Sequence, residues 1–165
     1  MKPVLRRVGA SDAESISQLV HASFLELAAA DWEPNAVKTF LSESSLQGLA
    51  AALKAPAYAA AEFLDEKPTG FLLMPKPSIL GMLFVHPAHL RGGIARRLWE
   101  SARSFVGVEH PEVETVEANS TPYALAAYRS LGFAPISSEF RRAGCRAIRV
   151  ACWLPGRGLA ADLRK

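Results

Sequence analysis

The chain has 165 residues, a length that suits a single domain spanning 1–165 and is enough to bury a sizeable core. Hydrophobic residues make up 50% of it and charged residues 21%, which excludes a disordered or fibrous protein. The net charge of +3, from 19 basic and 16 acidic residues, is too small and too scattered to point to nucleic acid.

In chain order, "VLRRV" reads as a first short strand. Ser11 is the expected cap of a helix, with Glu14 completing a capping box, and Ile16, Leu19, Val20, Phe24 and Leu27 follow at helical spacing. Pro34 sits in the first turn of a second helix carrying Val37, Phe40 and Leu41, and "SLQGLAAAL" forms a third. The period then changes. "AYAAAEFLDEKPTGFLLM" reads as an antiparallel hairpin turning at "DEKP". "SILGMLFV" is a strand apolar enough to be buried on both faces, with Gly81 marking a bulge or close approach.

After "HPAHLRGG", an apolar stripe of Ile94, Ala95, Leu98, Trp99, Ala102, Phe105 and Val106 defines a long amphipathic helix. "VETVEAN" is the next strand, Thr121 and Pro122 start another helix, and Gly132 ends it. Two final strands are expected at about 134–141 and 146–153. Nothing approaches the roughly 18 continuous apolar residues of a membrane span, and the N-terminus lacks a signal-peptide core. Hence no membrane partner and a cytoplasmic location are expected. Cys145 and Cys152 are the only cysteines. They read as reduced thiols, and no metal site is expected.

Two segments carry chemistry. In "HLRGGIARRL" a helix begins on two glycines with no acidic first turn. Its first N–H groups have no internal partner and its dipole is positive there. Glycines leave those donors open to an anion, and Arg91, Arg96 and Arg97 add charge. No Asp or Glu occurs between Glu66 and Glu100, so nothing close in sequence repels an anion. Equally, a tight strand-to-helix turn uses glycines for geometry alone. A Walker loop and a dinucleotide fingerprint both fail on spacing. The second segment is "NSTPYALAAYRSLGF". Here Tyr128, a weak acid of ordinary pKa about 10, lies one turn before the helix end, suited to protonating a leaving thiolate or to packing on the core.

Together, "LFVHPAHLRGGIARRLW" and "VEANSTPYALAAYRSLGF" resemble the two signatures of the GNAT superfamily of acetyl-CoA-dependent N-acetyltransferases. These are [QR]-x-x-G-x-[GA] after a V-x-P strand end, and an N…A…Y-x-x-L-G-F helix. The order of elements matches along nearly the whole chain. The first signature position holds Leu90, with Arg91 one residue late. The resemblance implies an α/β (α+β) fold: a mixed, mainly antiparallel sheet of about six to seven strands flanked by about four helices. Its fourth and fifth strands, "GMLFV" and "VETVEAN", splay apart.

It implies acetyl-CoA as co-substrate, with the pantetheine arm pairing with the main chain of Leu83, Phe84 and Val85. Leu90, Arg91, Gly92, Gly93, Ile94 and Ala95 would hold the pyrophosphate, with Arg96 near it. Asn119 would contact the arm, and Tyr128 would serve the departing thiolate. The implied reaction is direct attack by a primary amine of a small molecule or protein, through an oxyanion held by a main-chain N–H of the Phe84–Val85 region. The implied assembly is a monomer or homodimer.

The amine sets a requirement. A lysine-like amine of pKa about 10.4 costs about 4.6 kcal/mol to deprotonate at pH 7, an α-amine near 7.8 only about 1. The first needs a placed base. "SILGMLFV" offers no carboxylate or histidine, which leaves Glu117, Glu62 and, less suitably, His86; Glu117 is the candidate. The acceptor pocket would lie between the first two helices and the last two strands, lined by His21, Phe24, Trp32 and Tyr58. Two other readings stay open on sequence: a non-catalytic acyl-CoA-binding regulatory module, and an unrelated binder of phosphate ligands.

Overall fold

Where helical hydrophobic spacing gives way to continuous apolar runs, the chain turns from a helical layer into a sheet. The structure is a computed structural model that describes residues 2–155, so the expected 1–165 domain extends past it at both ends. β1 (Val4–Arg7) leads into α1 (Ala13–Leu27), α2 (Pro34–Glu43) and α3 (Leu46–Ala52). A meander of β2 (Tyr58–Leu64), β3 (Lys67–Met74) and β4 (Met82–Val85) follows. Then come α4 (Ile94–Glu109), β5 (Thr115–Ser120), α5 (Leu125–Ser130), β6 (Ala134–Pro135), β7 (Phe140–Arg142) and β8 (Cys145–Trp153). The single strand expected at 134–141 is two, β6 and β7, which pair with different stretches of β8.

One sheet runs β1-β2-β3-β4, every pair antiparallel. The other runs β5-β8-β6, with β7 also on β8. The hairpin between β2 and β3 turns on Asp65 and Glu66, both at positive φ (50° and 64°), the double left-handed geometry that suits a two-residue loop between twisted strands. The sheets meet at one point. Leu80 N–H donates to Glu117 O, and Glu117 N–H to Ser78 O, each at 2.9 Å. Past that vertex β4 stays on β3 and β5 on β8, so the two strands part. The splay expected from the resemblance is present.

This parting explains one difference from the sequence reading. "SILGMLFV" was expected to be buried on both faces, yet all four β4 residues are only half-buried, because no strand among the described residues covers the far edge. A second difference is at the start of α1. Ser11 is exposed and does not cap. Instead Asp12 accepts Gly9 N–H at 3.0 Å and pairs with Arg6 at 2.9 Å.

Helix α4 buries Ile94, Leu98, Trp99, Ala102 and Val106 against one face of the sheets, together with Tyr58, Leu72, Val116 and Val150. It lies directly on β3: a Cβ on Gly70 would stand 2.3 Å from Ile94 Cγ2, so only glycine lets the helix come this close. On the other face of β2 and β3, Ile16, Leu19 and Val20 of α1 pack with Leu49 and Leu53 over Ala59, Ala61, Phe71 and Leu73.

Candidate active site

Strand register decides which main-chain groups face the gap. His86 N–H donates to Thr69 O at 2.9 Å, directly opposite in the β3–β4 register. Antiparallel pairing alternates residue by residue, so Met82 and Phe84 spend their amides on β3, while Leu83 and Val85 turn theirs outward. Of the three residues expected to meet the pantetheine arm, Phe84 is therefore engaged elsewhere. On the far side Leu154 N–H donates to Glu114 O at 2.9 Å. By the same alternation Val116, Ala118 and Ser120 bond β8, and Asn119 turns its main chain into the gap.

Side chains follow the opposite parity. Leu83 and Val85 pack on the α4 side with Tyr128, whereas Met82 and Phe84 pack on the α1 side. Val116 and Ala118 also point toward α4. Glu117, exposed, therefore lies on the α1 side at the vertex, on the face shared with Phe84.

At the mouth of the gap, Arg91 and Gly93 both take positive φ (64° and 78°) to turn the loop into α4. Leu90 and Arg91 form a hydrogen-bonded turn that closes on Gly92; beyond it the N–H groups of Gly93, Ile94, Ala95 and Arg96 have no partner among the described residues, and no side chain caps the helix. Such a run of open donors at a helix start is an anion cradle. The three arginines expected beside it divide. Arg96 Nη2 donates to Ser130 O at 2.8 Å and straps α4 to α5. Arg97 is held by Glu62 through two 2.8 Å hydrogen bonds. Arg91 is exposed and has no side-chain partner among the described residues. Leu90 is exposed.

Glu62 revises the view that nothing near the loop repels an anion, since β2 brings its carboxylate there and Arg97 neutralises it. It is also removed as a candidate base. The sequence reading did not join these two residues, although a lone acid inside the apolar run "YAAAEFL" was the signal. A cleft of about 280 Å³, lined in part by Glu62, Thr69, His89, Leu90, Gly92 and Arg97, opens beside the loop.

Tyr128 packs edge-on to Phe133, ring centroids 5.3 Å apart. Burial pushes its phenol up to about 12, so the hydroxyl stays protonated at any working pH. The hydroxyl bonds no described residue. Helix α5 is shorter than the pattern from Thr121 suggested, because 122–124 form turns. Thr121 Oγ1 caps the first of these by accepting Ala124 N–H at 3.2 Å.

The expected acceptor residues separate. Phe24 and Trp32 come together at 4.8 Å and are joined by Phe40 and Phe84 in one aromatic cluster. Phe24 is only 1% exposed, so it supports this wall rather than offering surface. His21 is tied away. Its Nε2 lies 3.0 Å from Ser44 Oγ, which donates its own proton to Phe40 O at 2.6 Å, so Nε2 must be the donor. Tyr58 is on the wrong face: 3% exposed under α4, it bonds Ser101 at 2.6 Å. As for His86, its Nδ1 accepts Ala88 N–H at 3.1 Å, which consumes the lone pair a base would use.

Among the described residues no helix is long and apolar enough to cross a membrane, and no cluster of three metal-ligating side chains occurs. No curated protein matches the sequence. Solved structures do match in fold. A GCN5-related N-acetyltransferase from Rhodopseudomonas palustris superposes with a TM-score of 0.80 at 18% identity, over 93% of this chain and 97% of that one. The PaiA N-acetyltransferase of Thermoplasma acidophilum, solved in complex with coenzyme A, gives 0.76 at 13% identity, over 93% and 99%. The ribosomal-protein-S18-alanine N-acetyltransferase of Escherichia coli gives 0.67 at 19%, over 96% and 97%. A family model described as an acetyltransferase (GNAT) domain matches residues 28–154. On that match, with the splayed strands and the open helix start, the chain belongs to the GNAT acetyltransferase family and is an acyltransferase.

Proposed function

We propose that this enzyme transfers an acetyl group from acetyl-CoA to a primary amine by direct attack. The observation that carries the reading is the run of open N–H groups from Gly93 to Arg96, at the mouth of a gap whose edges are lined by Leu83, Val85 and Asn119. These residues fit the co-substrate: the glycines and Ile94–Arg96 would hold its diphosphate, with Arg91 as counter-charge. Leu83 and Val85 would pair with the amides of its arm as a strand pairs with a sheet edge.

When bound, the co-substrate supplies an activated acetyl thioester. The protein's own groups do the rest. Glu117, exposed at the vertex, is suited to take a proton from the incoming ammonium, directly or through water. Of the two outward N–H groups, that of Leu83, nearer the vertex and farther from the diphosphate loop, is the donor for charge developing on the acyl oxygen, leaving the N–H of Val85 to the arm. The Tyr128 hydroxyl, protonated and without a partner among the described residues, is suited to donate toward the leaving sulfur. The aromatic wall of Trp32, Phe40 and Phe84 excludes water from the acceptor side and favours an amine with an apolar body.

Two measurements test this. Calorimetry with CoA should show binding, with ATP much weaker, and an amine panel with a thiol-release readout should yield CoA only when an amine is present. Failure to bind CoA sinks the proposal. Binding with no release for any amine sinks its catalytic half.

A further inference from the structure

We infer that the pair between buried Glu62 and half-exposed Arg97 is a positioning device that aims the loop's main-chain N–H groups at the anion, rather than a phosphate ligand. The inference rests on the proposed CoA binding at this loop and goes beyond it by assigning Glu62 and Arg97, neither of which fills a defined position of the two signature patterns. Glu62 has 4% of its side chain exposed, Arg97 47%. A carboxylate so far from water persists only with a committed partner. Arg97 supplies one in fork-to-fork geometry, Nε to Oε2 and Nη2 to Oε1, both at 2.8 Å. This leaves Nη1, which donates to Gly92 O at 2.9 Å.

That last bond has a geometric consequence. No peptide bond here is cis, and in a trans peptide the C=O of one residue and the N–H of the next point in opposite directions. Gripping Gly92 O from the Glu62 side therefore turns Gly93 N–H the other way, outward with the open donors of Ile94, Ala95 and Arg96. The guanidinium also fills the space at Gly93, where a Cβ would lie 3.0 Å from Arg97 Nη1.

The start of the loop is tied to the same floor: His86 N–H donates to Thr69 O, and buried Thr69 Oγ1 donates to Glu62 O at 3.1 Å. Both ends of the stretch from His86 to Gly93 thus hang from neighbouring residues of β2 and β3. Because Glu62 cancels the Arg97 charge, the pair contributes direction and no net charge, which leaves counter-charge to Arg91.

The test compares wild type, Arg97→Lys, Glu62→Gln and the double variant Glu62→Gln/Arg97→Met, which removes the buried charge and so guards against a fold lost to an orphaned carboxylate. CoA and pantetheine are the two probes, with melting temperature as the control for folding. Expected is a rise in Kd for CoA of about tenfold in Arg97→Lys and in the double variant, the scale of one charge-assisted hydrogen bond. Pantetheine, which lacks the diphosphate, should bind as before, and in turnover the loss should fall on KM for acetyl-CoA rather than on kcat.

Glu62→Gln separates the roles: a clamp loosened weakens CoA binding, whereas an arginine freed to meet phosphate strengthens it. Unchanged CoA affinity in the variants, tighter binding in Glu62→Gln, or equal loss of pantetheine overturns the inference and leaves the proposed function standing. No CoA binding by the wild-type chain overturns both.

Discussion

Replacing Tyr128 by Phe removes one oxygen, and the structure sets the size of the effect. With the phenol near 12 and an ordinary thiol near 8.5, complete proton transfer to a departing thiolate is uphill by about 4.8 kcal/mol. Tyr128 therefore acts chiefly as a hydrogen-bond donor to developing charge on sulfur, a contribution of about 1.5–3 kcal/mol for a charged acceptor. That converts to a fall in kcat of about 10- to 150-fold, near the lower end of general-acid effects. Stability should not fall, since the hydroxyl bonds no described residue while the ring keeps its contact with Phe133. The assay is thiol release at saturating acetyl-CoA with the best amine of the panel, with melting temperatures recorded in parallel. Full turnover by a folded Tyr128→Phe protein would refute the assignment. A loss of activity matched by a large drop in melting temperature would show that the hydroxyl serves the fold rather than the departing sulfur.

Three further outcomes follow from the same geometry. The raised phenol predicts an alkaline signature. A group whose folded pKa exceeds its unfolded value stabilises below the unfolded value and loses that contribution as pH rises toward the folded one. Between pH 10 and 12 wild type should therefore lose about 2–3 kcal/mol relative to Tyr128→Phe, measured by denaturant unfolding of the two side by side; parallel curves would contradict it. Gly70→Ala should cost about 1–3 kcal/mol by overpacking, because its Cβ would meet Ile94 Cγ2 at 2.3 Å and Leu98 Cδ1 at 3.0 Å. Displacing the start of α4 should weaken CoA binding as well, and a neutral melt would mean that α4 does not rest on β3 as described. Gly93→Ala, at φ +78°, should cost about 1–2 kcal/mol in the left-handed region and raise the Kd for CoA by calorimetry. Unchanged affinity would mean that the turn tolerates a side chain.

Much of this was legible along the chain because it depends on local spacing. The apolar stripe of α4 follows from a 3.6-residue period, the hairpin from two apolar runs about a turn, and the anion cradle from glycines ahead of a helix with no acidic first turn. Each is decided by neighbours within a few residues. The amphipathic pattern was less certain where elements are short. The tail strand divided into β6 and β7, and the expected Ser11 cap gave way to Asp12, whose carboxylate reaches both Gly9 and Arg6.

What sequence alone determined is the order of elements and the two signatures, hence the family, since helix starts, turns and strand periods are written in nearest neighbours. Only tertiary structure decided which groups meet across long separations. It brought Glu62 to Arg97, committed Arg96 to Ser130, sent Tyr58 beneath α4 and turned Leu83 rather than Phe84 toward the gap. Those outcomes hang on strand register and helix crossing, where a shift of one residue reverses every side chain. No local pattern carries that information.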